Sequence, residues 1–159
     1  MNVFDERRNI ISLYSYPKSQ DGATAAIILA ELKLPYDLHL INTPNEIPNE
    51  ILSESHKCLP VLTDFDQAGR RVSIRGVEPI ASYLIVQDHE EQLSRGGVDI
   101  EEMNTLADLI HFPCVAAAGS LGLDIERFPE LTAWFNRISQ HGAVVNGMAA
   151  VQLNVDVYS

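Results

Sequence analysis

The sequence predicts an α/β half in the order β-α-β-β-β-α, followed by an all-helical half. Three observations carry this. In the first 87 residues, short runs of β-branched and aromatic residues are separated by one stretch rich in Ala, Leu and Ile. Two of the apolar runs flank a turn containing Gly69, and beyond Val98 the apolar positions recur mainly at helical spacing.

Asn9 to Tyr16 (NIISLYSY) reads as a buried strand, with a turn-like Pro17 to Gly22 after it. Ala23 to Lys33 (ATAAIILAELK) has an apolar face and is expected to be a helix that Leu34-Pro35 ends. Asp21 is favoured as its N-cap, because a short carboxylate accepts from the free N–H groups of a first turn. Tyr36 to Ile41 alternates and gives a second strand, so strand, helix and strand form a parallel unit with a right-handed crossover. Asn42 to Lys57 is polar, carries Pro44 and Pro48, and has room only for a short helix near Glu50. Leu59 to Asp64 and Arg71 to Ile74 form a hairpin around Gln67-Ala68-Gly69. Glu78 to Val86, with Pro79 near its first turn, is helical. The order βαβ then ββα is the thioredoxin-like arrangement, a mixed sheet with the hairpin antiparallel to the rest.

Asp88 to Val98 (DHEEQLSRGGV) is charged and carries the glycine pair Gly96-Gly97, and reads as a linker. It divides a thioredoxin-like domain, 1–87, from a shortened helical domain, 99–159. In the latter, Thr105 to Ala118 and Pro129 to Gln140 are expected helices, Thr105 and Asp108 having capping-box spacing. Trp134 and Phe135 are expected to pack the second of these onto its neighbour. Val151 to Ser159 alternates strictly, which is a strand signal.

A chain of 159 residues, 46% hydrophobic and 21% charged, suits one compact domain or a small domain with a helical appendage. The formal charge of −11 repels phosphate backbones and anionic lipid, so no nucleic-acid partner is expected. Residues 98–159 hold only two basic side chains against eight acidic ones. Cys58 and Cys114 form no CxxC, which excludes a disulfide scaffold and a cysteine zinc cluster and fits a reducing cytosol. The charges of Met1 to Arg8 stand where a signal peptide needs an apolar core, and no apolar run reaches about 18 residues. Neither secretion nor membrane spanning is expected. The histidines show no ligand spacing, so no metal site is proposed.

Several segments together carry a resemblance. They are Leu13-Tyr14-Ser15-Tyr16 with Ser19, Lys57 to Leu62, Ile80 to Leu84, Thr105 to Asp108, and Phe128 to Phe135. In this order, and over nearly the whole chain, they resemble the cytosolic glutathione transferases. The opening is similar to zeta-class members, while the hairpin and His141-Gly142-Ala143-Val144 are closer to bacterial nu- and beta-type members. The resemblance implies a thioredoxin-like domain with a helical glutathione-transferase-like domain, glutathione as cosubstrate, and a small organic electrophile as substrate. Two departures qualify it. Where the family has an acidic residue and a serine that bind the γ-glutamyl end of glutathione, this chain has Gly76-Val77, between Arg75 and Glu78. Only about 17 residues separate Asp88 from Thr105, too few for the two long helices that the family places there and uses in its dimer interface.

For the chemistry, a serine hydroxyl at the positive end of a helix can keep a thiol ionised near neutral pH. Ser19 matches the family's serine position and is the first choice, a helix-capping role being the alternative. Ser15 and Tyr16 are weaker candidates, since alternation along the strand sends one of them into the core. Leu59-Pro60 is expected to be a cis peptide, with the Leu59 backbone pairing to an extended thiol peptide as an added strand does. Lys57, and after it His56 or Arg75, is a candidate to meet a ligand carboxylate, the alternative being a solvated surface charge. Val77 and Glu78 complete the glutathione-contacting set, and replacing Gly76-Val77 by Glu-Ser is expected to restore a standard anchor. Cys58 is read as a strand cysteine rather than a redox thiol. Two functions stay open: an enzyme conjugating, eliminating or isomerising through a thiol, and a non-catalytic binding or dimerisation module. A homodimer with a non-standard interface, with the C-terminal tail ordered against it, is also expected.

Overall fold

The computed structural model describes residues 10–49, 51, 59–95 and 100–155. Among these, β1 (Ile11–Ser15), α1 (Gln20–Glu31), β2 (Tyr36–Leu40), β3 (Val61–Phe65), β4 (Arg71–Arg75) and α2 (Val77–Arg95) make the first half. The second half comprises α3 (Ile100–Ala116), α4 (Pro129–Ser139) and α5 (Gly142–Ala150). The sheet runs β2-β1-β3-β4, with β1 parallel to β2 and antiparallel to β3, and β3 antiparallel to β4. This is the mixed sheet read from the sequence. The hairpin turn is set by Asp66, whose carboxylate accepts from the N–H groups of Ala68 and Arg70, with Gly69 at φ 76°.

Alternation along β1 serves two cores. Leu13 packs with Ala25, Ile28, Leu29, Leu62, Ile80 and Leu84, on the face that α1 and α2 cover. Tyr14 packs on the other side with Ile41, Ile47, Ile51 and Val61. A third cluster fills the helical half, where Phe112 of α3 stacks on Phe135 of α4 at 4.7 Å between centroids and approaches Trp134 at 6.4 Å. The expected packing role of Trp134 and Phe135 is thus observed.

α1 belongs to two of these cores at once. Gly22 to Leu29 are all buried, with Ala23 and Ile27 facing the helical half while Ala25, Ala26, Ile28 and Leu29 face the sheet side. The side chains that let this happen are small, as at Gly22, Ala23, Ala25 and Ala26, or wholly apolar, as at Ile27, Ile28 and Leu29. α5 lies against α1 so closely that a Cβ at Gly147 would stand 2.5 Å from Ile27 Cγ1 and 2.7 Å from its backbone nitrogen. His141 caps α5 through Nδ1, accepting from Ala143 N–H at 3.3 Å, while its Nε2 lies 3.7 Å from Glu31 of α1.

Several expectations are corrected. Asp88 to Arg95 continues α2 instead of forming a linker, because Glu90, Glu91, Gln92 and Leu93 are good helix formers. Gly96, Gly97 and Val98 lie outside the described residues. α3 begins at Ile100, so Thr105 stands inside the helix and does not cap it, and Asp88 to Thr105 is taken up largely by the two extended helices. α5 has no counterpart among the expected elements. The C-terminal alternation does not make a strand over 151–155, where Val151 and Gln152 form a turn instead, and 156–159 lie outside the described residues. Pro44–Glu46 forms a 3₁₀ turn, and Glu50, around which a short helix is expected, lies outside the described residues.

This packing sets two outcomes. Gly147→Ala drives a methyl into the Ile27 backbone, which cannot rotate away as a side-chain tip can, so unfolding should cost about 1–3 kcal/mol less and the urea midpoint should fall with an unchanged slope. On the sheet side, Tyr83 of α2 donates its hydroxyl to Asp64 of β3 at 2.8 Å. Burial first, then that hydrogen bond and the negative charge of Asp64 and Asp66, push the Tyr83 hydroxyl up to about 12 from 10.0. A group held protonated in the fold favours the folded state below its unfolded value, so this stabilisation is present up to pH 10.0 and is lost as pH rises towards about 12. Titration of tyrosinate absorbance should show this group last, and Asp64→Asn should lower its midpoint without returning it to 10.0, because burial remains.

Candidate functional site

The C-terminal ends of β1 and β4 and the N-terminal end of β3 meet at one edge of the sheet. The ladders pair Tyr14 with Val61 and Val61 with Arg75, and just beyond them the Gly76 N–H donates to the Pro60 carbonyl at 2.9 Å. α1 and α2 both start at this edge, so the positive ends of two helices point at the same place. The Leu59–Pro60 peptide is cis, as expected. Pro60 is buried and Leu59 half-buried.

Ser19 is the N-cap of α1. Its backbone is extended at φ −79° and ψ 125°, and its Oγ accepts from the Gly22 N–H at 3.0 Å. Asp21, the favoured cap in the sequence, instead sits in the first turn, where its carboxylate still suits the helix dipole. Capping and thiol activation do not compete at Ser19. Its oxygen is used as an acceptor, which leaves the hydroxyl proton to donate outward, and the residue is half-exposed.

Ser15 and Tyr16 divide as alternation along the strand requires. Ser15 is fully buried, its Oγ donating to the Tyr16 carbonyl at 2.9 Å, and a Cβ on Gly22 would come within 1.9 Å of it. It is packed beneath the start of α1, where no ligand reaches. Tyr16 lies on the opposite face, half-buried with Leu59 against the Tyr14 and Ile51 cluster. Val77, half-buried, and Glu78, exposed, open α2, and Gly76 before them is held at φ 89°. Arg75 donates through Nη2 to the Ile51 carbonyl. Lys57, with His56 and Cys58, lies outside the described residues. By topology Ser19, Leu59, Pro60, Val77 and Glu78 stand at this edge with Tyr16, and Ser15 is buried beneath it.

A separate apolar groove of about 560 Å³ lies in the helical half, among Cys114, Ala118, Leu121, Leu123, Ile125 and Phe128. Not one residue of the sheet edge lines it. Among the described residues no three His, Cys, Asp or Glu side chains gather as a metal site, and no helix is long and apolar enough to cross a membrane.

No protein-family model and no curated protein sequence matches the chain. Solved structures do match it. The yeast prion protein Ure2p, in complex with glutathione, is 14% identical, with 89% of this chain and 93% of that one covered at a TM-score of 0.71. A glutathione transferase family member from Pseudomonas fluorescens Pf-5, with two glutathione bound, is 17% identical over 89% of this chain and 93% of its own, at 0.66. A maleylacetoacetate isomerase from Anaeromyxobacter dehalogenans 2CP-1, with glutathione in its active site, is 14% identical over 92% and 98%, at 0.62. The chain has the glutathione-transferase fold, a thioredoxin-like domain with a helical domain.

Ser19→Ala removes the side-chain cap of α1 and should cost about 1 kcal/mol in denaturant unfolding, whereas Ser19→Asn, which caps equally well, should cost far less. Equal losses in both variants would show that the cap is not what the hydroxyl supplies.

Proposed function

We propose that this protein binds a glutathione-type thiol along the Leu59–Pro60 edge and turns it on a small organic electrophile, with Ser19 as the hydroxyl that holds the thiolate. The observation that supports this most is the geometry of Ser19. A hydroxyl whose oxygen already accepts from Gly22 has its proton free, at the positive end of a helix. A free thiol ionises near pH 8.5, and each unit of lowering needs about 1.4 kcal/mol. One hydrogen bond to a charged sulfur supplies about 1.5–3 kcal/mol, enough for one to two units. The thiolate then attacks the electrophilic carbon, forming the C–S bond as the leaving group departs with its electron pair. In an addition or isomerisation, the electron pair is instead taken up within the substrate. The Leu59 backbone would fix the thiol peptide in extended form, and the open N–H groups at Val77 and Glu78 would face its γ-glutamyl end.

That γ-glutamyl end is where the site is poor. Val77 offers no side-chain hydrogen bond in the position of the family's serine. This favours, as a second reading, a non-catalytic binding or dimerisation module, and it makes glutathione a weak ligand in either case. The Gly76→Glu half of the anticipated repair is opposed by the backbone: at φ 89° a side chain is strained even though a Cβ there would meet only Pro79 Cδ, at 3.6 Å. A location in the cytosol and a homodimer belong to the same proposal.

Calorimetric titration of glutathione tests it. The protein should bind weaker than about millimolar, and Val77→Ser alone should tighten binding by about tenfold or more, since a charge-assisted hydrogen bond contributes about 1.5–3 kcal/mol. Adding Gly76→Glu should return less than Val77→Ser alone. Micromolar binding by the unaltered chain would contradict the poor anchor, and a Val77→Ser protein that still binds nothing would contradict the thiol site.

A further inference from the structure

The loop that places Ser19 is tied to the far end of the chain. The Lys18 N–H donates to the Val151 carbonyl at 2.6 Å, joining the residue before the α1 cap to the residue after α5. Val151 is fully buried among the residues of the helical core. Immediately after it the chain turns back on α5, with Gln152 N–H donating to Ala149 and Leu153 N–H to Met148 at 2.9 Å, the double closure of a helix end.

Both sides of this bond carry backbone strain. Lys18 sits at φ 60° and Gln152 at φ 61°, the left-handed region that non-glycine residues adopt at a cost of about 1–3 kcal/mol. Both side chains are exposed, so packing does not force either one into place. Each has its own local closure, the Ser19 N–H on Tyr16 around Lys18 and the Ala149 and Met148 bonds around Gln152. The Lys18–Val151 bond joins the two turns, one presenting the N–H towards α5 and the other leaving the Val151 carbonyl to receive it. On the next residue, Ser19 donates its N–H to Tyr16 and accepts from Gly22, which fixes its hydroxyl.

We infer that the C-terminal end of α5 is a positioning element for the thiol site, acting through the Lys18–Val151 bond on the Ser19 hydroxyl. This rests on the reading of Ser19 as thiolate donor. It makes Lys18, Val151 and Gln152 positioning residues that need touch no ligand. Coupling is reciprocal: a thiolate held by Ser19 strengthens the bond by the same factor by which the bond strengthens thiolate binding.

Paired substitutions on each side separate backbone from side chain. Lys18→Asn and Lys18→Val both remove the ammonium, but asparagine tolerates the left-handed region and the β-branched valine resists it. Gln152→Gly and Gln152→Val make the same comparison across the bond. Two readouts are taken on the full chain, the pH midpoint of thiolate absorbance for bound glutathione and amide hydrogen exchange at Lys18 and Leu153. Lys18→Asn and Gln152→Gly should keep the native midpoint. The two valine variants should raise it by about one unit, an approximately tenfold loss of thiolate near neutrality. Exchange should also quicken across the bond, at Lys18 in Gln152→Val and at Leu153 in Lys18→Val. An unchanged midpoint in both valine variants overturns the inference, as does an effect confined to one side. If the native chain holds no glutathione thiolate, the thiol reading itself fails and exchange alone decides the coupling. Cross-protection lost only with valine upholds it, and protection unchanged in all four variants removes it.

Discussion

The burial of α1 on all sides is the constraint from which the rest of the molecule follows. Most helices of a small α/β protein keep one face in water and need only an apolar stripe. Here Gly22 to Leu29 are buried without a break, with the β1 face and α2 on one flank and α3 and α5 on the other. Such a helix can be built only from residues that are apolar or very small. The run Gly22-Ala23-Thr24-Ala25-Ala26-Ile27-Ile28-Leu29 meets that condition, with Thr24 satisfying its hydroxyl on the Gln20 carbonyl at 3.1 Å. Because α1 is shared, neither core is complete without it.

The same burial makes the ends of α1 matter. Orphan N–H groups at the start of a helix this deeply set must find partners in the protein or at its surface. Ser19 supplies one, Ser15 fills the space under Gly22, and the Lys18 N–H is answered from the end of α5. At the other end, Lys33 adopts φ 55° and Leu34 N–H returns to Leu29, closing the helix before Pro35. A helix fixed at both ends holds its positive terminus still beside the Leu59–Pro60 edge. That stillness is what a site needs if one hydroxyl is to meet one sulfur.

Much of the sheet half was legible because its signals are local. A run of β-branched and aromatic residues gave β1, period-two alternation gave β2, the turn around Gly69 gave the hairpin, and Leu34-Pro35 gave the end of α1. What escaped depends on tertiary contact. α5 carries Gly142, Val144, Val145 and Gly147, poor helix formers that become helical because Gly147 lets the segment lie on Ile27. Over the described residues 151–155 the alternation makes no strand, since Val151 and Gln152 are used to close α5. Ser19 and Asp21 are both good caps, and only the path of the chain around Gly22 chooses between them. The site was legible as a cluster of segments, and alternation along β1 already sent one of Ser15 and Tyr16 into the core; that it is Ser15 follows from its packing under Gly22. The resemblance, spread over many short segments, led to the correct fold, while the Gly76-Val77 departure is what makes glutathione a weak ligand in the proposed reading.

Mapping glutathione onto the protein in solution tests this account most directly. In an isotope-labelled sample titrated with glutathione, amide resonances of Ser19, Gly22, Leu59, Val77 and Glu78 should shift together along one saturation curve, while those lining the Cys114–Phe128 groove stay still. Shifts confined to the groove, or none at the α1 terminus at saturating thiol, would contradict a thiol site built on the buried helix.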